Sequence, residues 1–172
     1  MIIICIIMML LGLALFPYRY YMQRGYTERA ADQISQEWIL AHQAIRSGLE
    51  FDIGKHARLF WVINKWASTI DAYLQSGSTI PDLATLGTSS PDIRKYKSYT
   101  LDDGVTILDF TGSLYGIWDR VWYMISPPYG DGVFFTGTLS SGSMMDARII
   151  VGYPGSDGAG RSREILLRTY LK

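Results

Sequence analysis

The side chains able to do chemistry are few in this sequence, and their spacing limits what they could do. The two histidines, His42 and His56, fall in a helical stretch and near the start of an extended one. The chain has no Gly-x-Ser-x-Gly elbow, no Walker loop and no His-Glu-x-x-His pair. Asp102 and Asp103 stand side by side, but calcium takes six to eight oxygens and no cluster of further carboxylates follows them. The "GDG" at Gly130–Gly132 and "GSDGAG" at Gly155–Gly160 have the glycine content of phosphate- or cation-binding loops, and their composition is explained better by turns. Cys5 is the single cysteine, so an intrachain disulfide and a cysteine-based metal cluster are both excluded. Ile2, Ile3 and Ile4 precede it where a lipidated cysteine would want a small residue, which leaves a membrane-buried thiol. Arg94, Lys95 and Lys97 form a short basic run, read as a solvated loop. With 16 basic and 16 acidic side chains the net charge is zero, without the basic excess of a nucleic-acid binder. The expectation is a non-catalytic chain with no cofactor, no metal and no nucleic-acid partner.

The elements that carry these residues are easier to read. Met1 to Phe16 contains no charged side chain and holds five Ile, four Leu and one Phe. At about −0.5 kcal/mol each, these ten favour membrane insertion by roughly 5 kcal/mol. Tyr18, Tyr20 and Tyr21 extend the run with side chains suited to a membrane interface. A cleaved signal peptide fits poorly, because no Lys or Arg precedes the apolar core and "LALFPYRYY" places bulky residues where a peptidase needs small ones. From Arg19 to Ser47 there is no proline, and Ala30, Ile34, Trp38, Ala41 and Ile45 recur at helical spacing. Arg46 and then Gly48 mark the end of the helix. One helix is therefore expected over residues 1–48, membrane-spanning over 1–21 and amphipathic over 22–48. Pro17 would kink it rather than end it.

Beyond Gly48 the period shortens toward two, and most of the 17 glycines lie after Gly77. Leu59, Trp61 and Ile63 alternate with Phe60 and Val62, with Asn64-Lys65 as the turn and Trp66, Ile70, Ala72 and Leu74 on one face of the return strand. Ser76 to Ser98 reads as a long surface loop. Further strands are expected at Tyr99–Leu108, folded at Asp103-Gly104, and at Arg120–Ile125, Ala147–Tyr153 and Arg163–Leu171. The last two form a hairpin in which Ile165, Leu167 and Leu171 share a face. The fold class is α+β: a long N-terminal helix packed on an antiparallel β-sheet head at 49–172.

The stretch "MIIICIIMMLLGLALFPYRYYMQRGYTERAADQISQEWILAHQAIRSG" resembles type IV pilins and type II secretion pseudopilins. Pro17-Tyr18 matches the proline-tyrosine pair that follows the apolar run in that family, and the helix end "ISQEWILAHQAIRSG" looks like that of the H-type minor pseudopilins and related minor pilins, with His42 where that pattern has arginine. "GVFFTG" adds a loose likeness. The basic leader and the Phe-Thr-Leu-Val-Glu start of the family are missing, with the family's glutamate falling just before Met1. Met1 is therefore expected to be an internal methionine, the alternative being a degenerate pilin that was never processed. A basic leader upstream would also reconcile the orientation, because Arg19, Arg24 and Arg29 after the span would otherwise hold the head in the cytoplasm.

The resemblance implies a minor pilin or pseudopilin with a prepilin-type N-terminal methylation domain. It implies a single-pass inner-membrane protein whose head lies outside the cytoplasm, assembled into a periplasmic or cell-surface fibre. Its partners would be other pilin subunits, the inner-membrane assembly platform, prepilin peptidase acting on the precursor, and membrane lipid. Ile2, Ile6, Leu10, Gly12, Leu13, Phe16 and Pro17 would form the membrane and fibre-core helix. Ala30, Ile34, Trp38, Ala41 and Ile45 would hold helix to head. The competing reading is a signal-anchored extracytoplasmic binding domain that does not polymerise.

Overall fold

The computed structural model describes residues 2–76, 91–101, 104–112, 120–128, 130–135, 146–154 and 162–168. The first element is α1, Ile2–Arg46, a helix of 45 residues, about 68 Å long at roughly 1.5 Å per residue. It runs through Pro17, whose ring removes the N–H that would bond to the Leu13 carbonyl. Its end is set by backbone bonding. Gly48 N–H donates to Ile45 O at 3.1 Å and Leu49 N–H to Ala44 O at 3.0 Å, with Gly48 at φ 86°. That pairing caps the last carbonyls and needs a residue able to adopt a left-handed conformation, which glycine does without steric cost.

Among the described residues nine strands follow: β1 Glu50–Asp52, β2 Lys55–Asn64, β3 Thr69–Ser76, β4 Ile93–Thr100, β5 Thr106–Gly112, β6 Arg120–Ser126, β7 Asp131–Phe135, β8 Asp146–Gly152 and β9 Ser162–Arg168. They make two antiparallel sheets. The larger has the order β4-β3-β2-β6-β7 with β1 attached to β2, and the smaller the order β5-β8-β9. The architecture is the expected α+β one.

The β2–β3 hairpin pairs Ile63 with Ile70 and Asn64 with Thr69, so its turn is Lys65–Ser68 and not the two-residue turn at Asn64-Lys65. A two-residue turn would need positive φ at Lys65, a poor choice for a long side chain. Instead Asn64 Oδ1 accepts hydrogen bonds from the Trp66 and Ala67 amides, and Ser68 takes the positive φ, 49°. Trp66 consequently leaves the strand face assigned to it and is 81% exposed.

Two further expectations are corrected. The surface loop expected over Ser76–Ser98 contains most of β4, which pairs along β3 from Gln75↔Ile93 to Thr69↔Thr100. Its sequence "IRKYKSYT" hides the strand because almost every side chain on this edge is exposed, so no apolar alternation marks it. Residues 77–90 of that loop lie outside the described residues. The Tyr99–Leu108 strand is in fact two: Tyr99 belongs to β4 in the larger sheet and Thr106 opens β5 in the smaller. The segment at Gly104, φ 76°, passes the chain between sheets; Asp102 and Asp103 lie outside the described residues. β1 and β7 had no expected counterpart, β1 being three residues long and β7 beginning inside the "SPPYGDG" turn composition. β6, β8 and β9 fall where expected, and β8–β9 is an antiparallel pair, although Leu171 lies outside the described residues.

One apolar core joins the helix to both sheets. Ala30, Ala31, Ile34, Trp38, Ala41 and Ile45 of α1 pack with Leu59, Trp61 and Ile63 of β2, Val121, Tyr123 and Ile125 of β6, and Ala147, Ile149, Val151, Ile165 and Leu167 of β8 and β9. Phe60, Tyr73 and Met124 form a second cluster on the opposite face of the larger sheet.

Candidate functional site

The feature that sets this molecule apart from an ordinary α+β head is the division of α1 into two environments. Ile6, Leu10, Leu13, Phe16 and Pro17 are exposed, Phe16 to 82%, and Gly12 is half-exposed. Ile2 opens the helix. The most apolar stretch of α1 has no buried residue, and the helix is long and apolar enough to cross a membrane. Each exposed Ile, Leu or Phe side chain forgoes about 1.5–3 kcal/mol of burial, so this half of α1 calls for an apolar surrounding from outside the chain. A Cβ added at Gly12 would meet nothing within 4 Å among the described residues, so no contact with them explains a glycine there.

The C-terminal half is the reverse. Ala30, Ile34, Trp38, Ala41 and Ile45 are all buried, Ile34 to 2% exposure. Trp38 lies against Tyr123, with ring centroids 4.0 Å apart and planes at 30°, and meets Trp61 edge-on at 5.5 Å.

Polar contacts fix the register of this packing. His42 occupies the same buried stripe one turn beyond Trp38. Its Nδ1 is 2.9 Å from Gly130 O and its Nε2 is 2.8 Å from Tyr123 Oη. A carbonyl can only accept, so Nδ1 carries the proton and Nε2 accepts from the tyrosine hydroxyl. Burial disfavours the imidazolium and the nearby Arg46 cation opposes it, so His42 titrates below its ordinary value despite the Gly130 bond. Two glycines make room for the arrangement. Gly130, φ 74°, lies under the Arg46 side chain, and a Cβ at Gly132 would collide with the Tyr123 ring.

On the other flank Glu37 accepts from Lys97 Nζ at 2.8 Å and Tyr99 Oη at 2.6 Å. Burial resists ionisation of Glu37, but these two donors outweigh it and its carboxyl titrates below the usual range. Burial and the bond to Glu37 push the Tyr99 hydroxyl up to about 12. A groove of about 490 Å³ runs here between α1 and β4, walled by Leu40, Ala44, Tyr96 and Tyr99.

The residues considered for chemistry fall elsewhere. Lys95 and Lys97 are not loop cations: on β4 they pair with Asp71 and Glu37, and Arg94 sits 4.7 Å from the Phe51 ring centroid. His56 lies in β2. Cys5 is exposed on the apolar half of α1. Among the described residues, no three His, Cys, Asp or Glu side chains gather as a metal would require. The sequence marks His42 only as one of two histidines and as a departure from the family's arginine, and gives neither it nor Glu37 a place in the helix–head seam, although the spacing Trp38, His42, Ile45 puts the histidine on the buried stripe. No protein-family model, no curated protein and no solved structure matches the chain.

Proposed function

We propose that this chain is a structural, non-catalytic subunit of the pilin or pseudopilin kind, held in the inner membrane by the apolar half of α1 with its head outside the cytoplasm. The same half would then pack among the helices of neighbouring subunits in a type IV pilus or type II secretion fibre. The observation that carries this reading is the continuity of α1: one helix runs from the exposed apolar stretch into the centre of the head's core without a linker. A tether needs only to be apolar. A fibre subunit needs its head held at a fixed angle and height on the helix that packs in the core, and the buried Trp38–His42–Tyr123 seam supplies that rigidity. Lipid and neighbouring apolar helices satisfy the exposed side chains equally well, so one segment serves before and after assembly. The expected partners are like subunits, the inner-membrane assembly platform and, for the precursor, prepilin peptidase.

N-terminal mass spectrometry of the protein from membranes and from sheared or pelleted fibres of its native host tests this. The expected result is the chain in both fractions, with a methylated residue ahead of a Glu-Met junction. A chain beginning at Met1 and confined to membranes as a monomer overturns the fibre reading in favour of an anchored binding domain.

A further inference from the structure

We propose that the cleft where α1 leaves the head seats the phosphate of an anionic phospholipid; this rests on the membrane-anchored reading of α1. The cleft, about 540 Å³, is lined by Phe16, Arg19, Tyr20 and Gln23 of the helix and by Tyr153 and Pro154 of the head. Its helical wall covers about 10 Å of the axis and begins where the apolar run ends. The headgroup layer on each side of a roughly 30 Å hydrocarbon core is about 5–7 Å thick, so the cleft opens at headgroup depth.

Its chemistry matches a phosphodiester. Arg19 makes no hydrogen bond or ion pair with any described residue, whereas Arg24 pairs with Glu28 at 3.0 Å and Arg29 lies 6.0 Å from the Tyr26 ring centroid. A guanidinium is a planar multiple donor suited to phosphate oxygens, and among the described residues no carboxylate lines the cleft to compete for it. Tyr20 and Tyr153 are amphipathic walls of the kind favoured at the membrane interface. Phe16 and Pro154 offer an apolar floor toward the acyl chains. The head side of the cleft is anchored, because Tyr153 directly follows β8, whose Gly152 pairs with both Thr106 and Ser162. A lipid held between Arg19 and Tyr153 would fix the depth and rotation of the helix and hold the head against the membrane.

The test uses the full chain in phosphatidylcholine vesicles containing spin-labelled phosphatidylglycerol or spin-labelled phosphatidylcholine, with the immobilised lipid fraction as readout. One arginine at the surface is worth about 1 kcal/mol, so Arg19→Gln is expected to lower the preference for phosphatidylglycerol by about fivefold. Tyr153→Ala should lower it too, and Arg24→Gln, outside the cleft and paired with Glu28, should lower it clearly less than Arg19→Gln. Equal losses for Arg19→Gln and Arg24→Gln would reduce the effect to general surface charge and overturn the seat. Displacement of the labelled lipid by inorganic phosphate would overturn the lipid as its source. A chain that floats with the vesicles but shows no preference defeats the seat alone; a chain that does not float defeats the membrane reading itself.

Discussion

His42 shows how much one side chain can do at a packed seam. It spans from α1 to both the β6 side chain Tyr123 and the Gly130 backbone, using each ring nitrogen once. Because the folded state keeps the imidazole neutral, the unfolded chain binds more protons as pH falls through the ordinary histidine value of 6.5. Stability contributed by this site is therefore complete above that pH and is lost below it. Thermal unfolding of the detergent-solubilised chain should show a midpoint falling as pH drops from 6.5 toward 5, and His42→Leu should flatten that segment. Glu37 acts in a separate window: its depressed carboxyl loses its contribution below its ordinary value of 4.5, so the lower arm should survive in the His42 variant. His42's helical position could be read from the sequence. Its partners could not, since Tyr123 is 81 residues away and Gly130 reaches the site through a turn whose only visible signal was its composition.

At the scale of elements, α1 is the best-announced feature and β4 the worst. The stripe from Ala30 to Ile45 is visible because a helix repeats its buried face every three or four residues within one local segment. The energetics follow the stripe. Ile34→Ala removes a side chain 2% exposed and should destabilise the head by about 2–5 kcal/mol. Ile39→Ala, at a position 53% exposed, should stay within about 0.5 kcal/mol of the parent. Denaturant unfolding of the two variants checks the contrast, and equal losses would mean that α1 packs on a different face. β4 escaped notice because an edge strand carrying Lys and Arg has no buried face to betray it, and those charges also discourage edge-to-edge association. The Asn64–Ser68 turn was misplaced for a different reason: the Asn64 side chain substitutes for backbone partners, a choice that period and composition do not report.

For the whole molecule, the division of α1 into a bare half and a buried half joins the apolar segment mechanically to the head. Leu13→Glu would place a charge on the bare half, where the cost of a buried charge reaches at most the roughly 2.5–3.5 kcal/mol of a bilayer centre. It should block fibre incorporation, scored in sheared or pelleted fibres, while the head unfolds at the parental denaturant midpoint. Normal incorporation of that variant would remove the apolar half from the assembly contact. Local pattern was enough to determine the helix, its cap at Gly48, the apolar character of residues 1–16, and an α+β composition with strands at β2, β3, β6, β8 and β9. These depend on neighbours within a few residues of one another. The split into two sheets, the placing of β2 between β3 and β6, the pairing of β5 with β8, and the meeting of Trp38, His42 and Tyr123 were decided only by tertiary structure. Each depends on which distant segments bury one another, and a hydrophobic period specifies that a face must be covered without specifying by what.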